Sequence, residues 1–236
     1  MTRLPQIVAM GGGGFSMEPE NLRLDRFALA CTGSAEPKVC FVPTASGDAQ
    51  GYIEKFYASF HTLPCLPSHL SLFSLNFADL HSFVLQQDVI YVGGGNTRNL
   101  LALWREWGLD QILREAWQSG IVLAGISAGA VCWFEEGVSD SVTLGVLQKL
   151  PCLGLLPGSF CPHYDGEANR RPTYHQLLAS GEIKHSGYAA DDGVALHFVD
   201  QGLVEAVSSR PEAKAYAVLR DGASVEEIAI EPRLLP

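Results

Sequence analysis

The chain is 236 residues long and 47% hydrophobic, with a formal net charge of −10 at pH 7. That apolar content suffices for one substantial core, and the acidic balance argues against a nucleic-acid or anionic-membrane surface. No apolar run reaches the roughly 18 residues of a membrane span, and no stretch of signal-peptide length precedes the first glycines, so a soluble cytoplasmic protein is expected.

Taken in chain order, the pattern alternates between strand and helix. Q-I-V-A-M, from Gln6, reads as a buried strand running into the glycines 11–14. Glu18 to Cys31 has helical periodicity through Leu22, Leu24, Phe27 and Ala28. K-V-C-F-V is a second strand, and Gly51 to His61 a helix. L-S-L-F-S-L, Leu70 to Leu75, is predicted as a third strand, with a short helix over Phe77 to Leu85. D-V-I-Y-V begins a fourth strand at Asp88, and Thr97 to Ser119 is predicted as one long helix. I-V-L-A-G-I is the fifth strand, and Ala128 starts another helix.

Near-continuous apolar strands alternating with helices are the signature of an α/β fold, a parallel sheet flanked by helices on both faces. After about residue 150 the character changes. G-Y-A-A-D-D-G-V-A-L-H-F-V, L-V-E-A-V and A-Y-A-V-L-R-D-G-A-S-V-E-E-I-A-I read as strands joined by tight turns. An antiparallel C-terminal extension of the same sheet is expected, within a single domain over residues 1–236. Six cysteines (Cys31, Cys40, Cys65, Cys132, Cys152 and Cys161) form no C-x-x-C pair. They are expected to be reduced thiols, with no metal site.

One stretch stands out. Gly125-Ile126-Ser127-Ala128-Gly129 fits G-x-S-x-G between a buried strand and a helix. In that setting the serine occupies a sharp turn with its hydroxyl above the sheet. The next N–H, of Ala128, lies at a helix start and is placed to donate to a developing oxyanion. Ser127 is therefore a candidate nucleophile, against the alternative of a helix N-cap.

A nucleophile needs a base and an orienting acid. Of seven histidines, His163 stands apart in F-C-P-H-Y-D, because Pro162 keeps Cys161 extended and puts the histidine at a strand's end. A structural histidine is the alternative. Asp191 and Asp192 in A-A-D-D-G are candidate acids, with Asp140 and Asp165 as competitors, and spacing does not choose among them. Gly93-Gly94-Gly95-Asn96-Thr97 could supply further oxyanion donors or be a plain strand-to-helix turn capped by Asn96 or Thr97. The glycines at 11–14 match neither a dinucleotide fingerprint nor a P-loop.

Together V-G-G-G-N-T, G-I-S-A-G-A, P-H-Y-D and the D-D-G turn resemble dipeptidase E (aspartyl dipeptidase) and its relatives, the S51 serine peptidases. The resemblance spans residues 36 to 200, and the family's fold is similar to class I glutamine amidotransferases (flavodoxin-like). It implies a Ser127–His163–Asp192 triad with Gly95 and Ala128 forming the oxyanion hole. The prototype's acid is a glutamate, so Asp192 is one methylene shorter, and Asp140 is held in reserve. It further implies a cytoplasmic serine dipeptidase cleaving Asp-X, with no metal or organic cofactor. Arg171, then Arg170, are candidates to hold the substrate's β-carboxylate, and Glu167 to receive its α-ammonium; a solvated, charge-balanced loop is the alternative.

Two other readings stay open: a cyanophycinase-like peptidase acting on β-aspartyl-arginine units, and a non-catalytic amidotransferase-like binding domain. Trp133, Phe134 and the C-terminal L-L-P fit either a core or an interface, which leaves a homo-oligomer possible.

Overall fold

The computed structural model describes residues 3–74 and 79–236. Its frame follows from the period of two in the apolar strands. In chain order the elements begin with β1 (Gln6–Met10), α1 (Gly14–Met17), α2 (Arg23–Ala30), β2 (Lys38–Val42), α3 (Gln50–Phe60) and β3 (Leu66–His69). Next come α4 (Leu80–Leu85), β4 (Val89–Val92), α5 (Thr97–Trp107), α6 (Leu109–Gln118), β5 (Val122–Ile126) and α7 (Ala128–Val131). β1, β5, β4, β2 and β3 lie side by side, all parallel. Ile7, Ala9, Ile90, Val92 and Leu123 turn to the face covered by α5 and α6. Val8, Met10, Val89, Tyr91 and Ala124 turn to the opposite face, against Phe15, Leu24, Phe56 and Phe60. Helices thus cover both faces of these five strands, as parallel strands require.

Past α7 the chain leaves this sheet. β6 (Phe134–Thr143), β7 (Val146–Pro151), β8 (Leu156–Cys161), α8 (Arg170–Ser180) and β9 (Gly187–Ala190) follow. Then come β10 (Val194–Val199), β11 (Gly202–Ser208), β12 (Ala215–Asp221), β13 (Ser224–Ile230) and β14 (Arg233–Leu234). β10 pairs antiparallel with β1 and β11 with β10, so the expected antiparallel extension exists. The expectation that all the late strands join it is corrected. β9, β12 and β13 form a second, six-stranded sheet with β6, β7 and β8, in the order β13-β12-β9-β8-β6-β7. One face of this sheet adds Phe134, Leu156 and Phe160 to the core below α5 and α6. Val138, Cys161, Ala189 and Val218 pack on its other face with Tyr174, Leu177 and Leu178 of α8.

Three boundaries differ from expectation. The long helix is two, because Gly108 adopts φ 67°, ending α5 and starting α6. The third strand is Leu66–His69, a partly exposed edge that lacks the apolar signature. Leu70 and Leu72, expected in that strand, are instead buried loop side chains, and Leu75 lies outside the described residues. The short helix begins at Leu80, with the Asp79 carboxylate accepting from the Ser82 N–H, and Phe77 is likewise outside the described residues. Trp133 and Phe134 are fully buried, so they belong to the core.

One buried charge is unusual. Asp25 on α2 is fully enclosed; Oδ1 accepts from the Tyr91 hydroxyl at 2.8 Å, and Oδ2 has no hydrogen-bond partner among the described residues. Burial pushes its pKa from 3.8 up to about 6, against the lowering by that hydrogen bond. A carboxyl whose pKa rises on folding contributes fully to stability below 3.8, and that contribution is lost as pH rises through about 6. Asp25→Asn keeps an acceptor for Tyr91 and removes the titration. Its stability relative to wild type, from urea unfolding, is expected to improve by up to ~3 kcal/mol between acid and neutral pH.

Candidate active site

The G-x-S-x-G turn stands at the carboxyl end of β5. Ser127 has φ 53° and ψ −111°, a conformation L-residues rarely adopt. Its N–H donates to the Met10 carbonyl at 3.0 Å, and its carbonyl accepts from Ala130 and Val131 at 2.8 and 2.9 Å. The flanking glycines are demanded by close approach. A Cβ at Gly125 would overlap the Gly129 carbonyl, and one at Gly129 the Val92 carbonyl.

β8 delivers the histidine. His163, also at φ 53°, places Nε2 2.8 Å from Ser127 Oγ and Nδ1 2.6 Å from Asp192 Oδ1. Both side chains are largely enclosed, at 14% and 16% exposure, where such a pair is screened little by water. Asp192 lies in the turn where the chain crosses from β9 in the second sheet to β10 in the first. The other acids go elsewhere. Asp191 Oδ2 accepts from the Lys214 N–H, and Asp165 from the Asp192 N–H. Asp140 lines a separate cleft beside Gly145 and Glu167. His197 is bound to Gln6, His175 to Glu227, His81 to Glu115 and His69 to Tyr57.

The glycine run after β1 lies directly beneath this group. Three successive carbonyls, of Met10, Gly11 and Gly12, accept the N–H groups of Ser127, His163 and Gly193 at 3.0, 3.1 and 3.1 Å. A Cβ on Gly12 would overlap Asp192 Oδ1 and come 3.0 Å from His163 Cε1.

The second glycine turn faces the serine from β4. A Cβ on Gly94 would lie 3.6 Å from Ser127 Cβ. The Gly94 N–H donates to the Tyr52 hydroxyl at 3.3 Å. Among the described residues, no acceptor engages the N–H of Gly95 or of Ala128. Gly95 has φ 138°, and a Cβ there would overlap the Ala45 carbonyl, which accepts from the Asn96 N–H at 2.7 Å. Asn96 caps α5, as one reading of the sequence had it, and the Thr97 N–H donates to Ser141 Oγ of β6 at 2.8 Å.

In the charged stretch after His163, one arginine pairs within the stretch and the other with a distant strand. Arg170 is buried, with Nε and Nη2 donating to Glu167 and Nη1 to the Val138 carbonyl. Arg171 is half-exposed and stacks its guanidinium over Tyr164 and Tyr216, paired to Glu227 of β13. Burial pushes the Glu227 carboxyl up, but hydrogen bonds from Tyr164, Arg171 and His175 outweigh this and hold it below its ordinary value. Among the described residues no group of three or more His, Cys, Asp or Glu is arranged to hold a metal ion, and no helix is long and apolar enough to cross a membrane.

The model of the family described as Peptidase family S51 matches residues 7–206. This chain belongs to peptidase family S51. It is 61% identical to the uncharacterized peptidase YgaJ of Bacillus subtilis (strain 168), over 98% of this chain and all of that one. Peptidase E of Pasteurella multocida (strain Pm70) is 30% identical over 69% of this chain and 72% of its own. The crystal structure of a peptidase from an acI-B1 Actinobacterium shares the fold, with a TM-score of 0.71 at 19% identity, covering 98% and 96% of the two chains.

Within this S51 peptidase, sequence reading overlooked Gly12, Tyr52 and Ser141. The glycine run carried a usable signal, since consecutive glycines mark a close backbone approach; the other two carry none. Gly11→Ala, in the same run, is expected to destabilise the fold by about 1–3 kcal/mol, because the added Cβ would overlap the main-chain carbonyls of Ala190 and Asp191. Gly51→Ala, in the first turn of α3 with open space around it, serves as the control and should match or exceed wild type in the same urea titration.

Proposed function

We propose that this S51 peptidase is a serine-type dipeptidase with Ser127 as nucleophile, His163 as general base and Asp192 as orienting acid. The observation that carries the reading is the hydrogen-bonded line from Asp192 through His163 to Ser127, ending on a strained turn. Ser127 Oγ attacks the peptide carbonyl while His163 Nε2 takes its proton, and the Gly95 and Ala128 N–H groups receive the oxyanion. The imidazolium, held by Asp192, returns the proton to the leaving amine. Water activated by the same nitrogen then releases the acyl group and regenerates the hydroxyl.

The finer part of the proposal is a preference for aspartate at the substrate's N-terminus, which rests on the resemblance seen in the sequence. Arg170 is enclosed by its own partners, and we assign it to anchoring the start of α8. Arg171, at 51% exposure, remains the candidate for the β-carboxylate. To bind substrate it exchanges Glu227 for another carboxylate, while Glu227 keeps its hydrogen bonds with Tyr164 and His175.

Release of free amino acid from Asp-Leu, Glu-Leu, Ala-Leu, Asn-Leu and a β-Asp-Arg conjugate tests both parts. Asp-Leu cleavage is expected to dominate and to fall by roughly six orders of magnitude in Ser127→Ala. Turnover of β-Asp-Arg alone would move the chain to the cyanophycinase-like reading. A second expectation concerns selectivity. Glu227→Gln should raise, and Arg171→Ala lower, the ratio of Asp-Leu to Ala-Leu turnover, and an unmoved ratio in both would remove Arg171 from the recognition of substrate.

A further inference from the structure

The Asp192 carboxylate is thinly tethered for the acid of a triad. Among the described residues His163 is its sole hydrogen-bond partner, through Oδ1. A carboxylate held by one bond keeps its aim only if its main chain is fixed, and here the main chain is gripped on both sides. The Asp192 N–H donates to Asp165 Oδ1 at 2.8 Å. Arg210 Nη2 donates to the Asp192 carbonyl and also to Asp165 Oδ2, the latter at 3.2 Å. One ion pair thus engages both main-chain polar groups of a single residue.

The surroundings brace the pair. Glu18 Oε1 lies 3.7 Å from Arg210 Nε, and Glu18 Oε2 accepts from the Ser209 hydroxyl at 2.8 Å. The Ser209 N–H donates to the Gly193 carbonyl at 2.8 Å. On the other flank Asp191 and Lys214 exchange hydrogen bonds, at 3.0 Å from the Asp191 N–H and 2.8 Å from the Lys214 N–H. Asp165 and Arg210 are themselves 42% and 39% exposed, a setting in which an ion pair adds little to stability.

We propose that Asp165 and Arg210 are positioning residues that aim the Asp192 carboxylate at His163 Nδ1, an inference that rests on the triad reading above. The test follows the rate at which a small fluorophosphonate labels Ser127 in the full chain, with the low-field proton resonance of His163 Nδ1–H as a second readout. Asp165→Ala should slow labelling between about 10- and 100-fold and move the resonance upfield, and Arg210→Met should do the same. Asp165→Asn keeps an acceptor for the Asp192 N–H and should recover most of the rate and the resonance.

A pair that served stability alone would make the alanine and asparagine variants alike, and that result overturns the proposal. Labelling at the wild-type rate in Asp165→Ala, beside its loss in Asp192→Ala, would remove the clamp and leave the triad standing. Wild-type labelling in Asp192→Ala would remove the triad reading, and the clamp with it.

Discussion

The arrangement depends on one close approach, that of the main chain at Met10, Gly11 and Gly12 to the segments carrying Ser127, His163 and Asp192. Three consecutive carbonyls receive an N–H from each of the three segments. Main-chain hydrogen bonds of this kind fix position without relying on side-chain rotamers, and they need a strand end stripped of Cβ atoms. The serine arrives from the first sheet, the histidine from the second and the aspartate from the crossing between them. β1 belongs to the first sheet, yet its end is where all three meet.

That geometry has a local cost. Ser127 and His163 both sit at φ 53°, a conformation that costs of order 1–3 kcal/mol for a residue with a side chain. It persists because each backbone is held from several sides. Ser127 bonds to Met10 through its N–H and to the start of α7 through its carbonyl; His163 bonds to Gly11 through its N–H and to Glu167 through its carbonyl. The strain lifts both side chains toward each other across the joint between the sheets.

What the sequence disclosed, and what it withheld, follows from the range of the interactions. Four of the five parallel strands and the serine turn were legible because their signals are local: a buried run, a glycine, a period of two or of 3.6; the edge strand β3, with no buried run, was not. The break at Gly108 was legible in principle, since W-G-L between two amphipathic segments permits a left-handed residue. The second sheet was not. The β6–β7 hairpin alternates poorly, and β9 reads no differently from β10, although they join different sheets. Asp192 could not be separated from Asp191 by spacing, because the distinction lies in distant partners: the Lys214 N–H takes the Asp191 carboxylate, while Asp165 accepts from the Asp192 N–H and the Asp192 carboxylate meets His163. The partner of Arg171 was invisible for the same reason, being Glu227, 56 positions away.

The crossing at Asp192 also bears on how the molecule comes into being. β1 pairs with β10, so residues at the start of the chain wait for residues 194–199 before the first sheet closes on that side. Contacts of such long sequence separation slow folding, because loop-closure entropy opposes them. A nascent chain emerging from the ribosome carries Ser127 well before it carries Asp192. Until the last third of the polypeptide has been made and docked, Ser127 lacks the hydrogen bond to His163, and His163 the one to Asp192, that the finished fold provides.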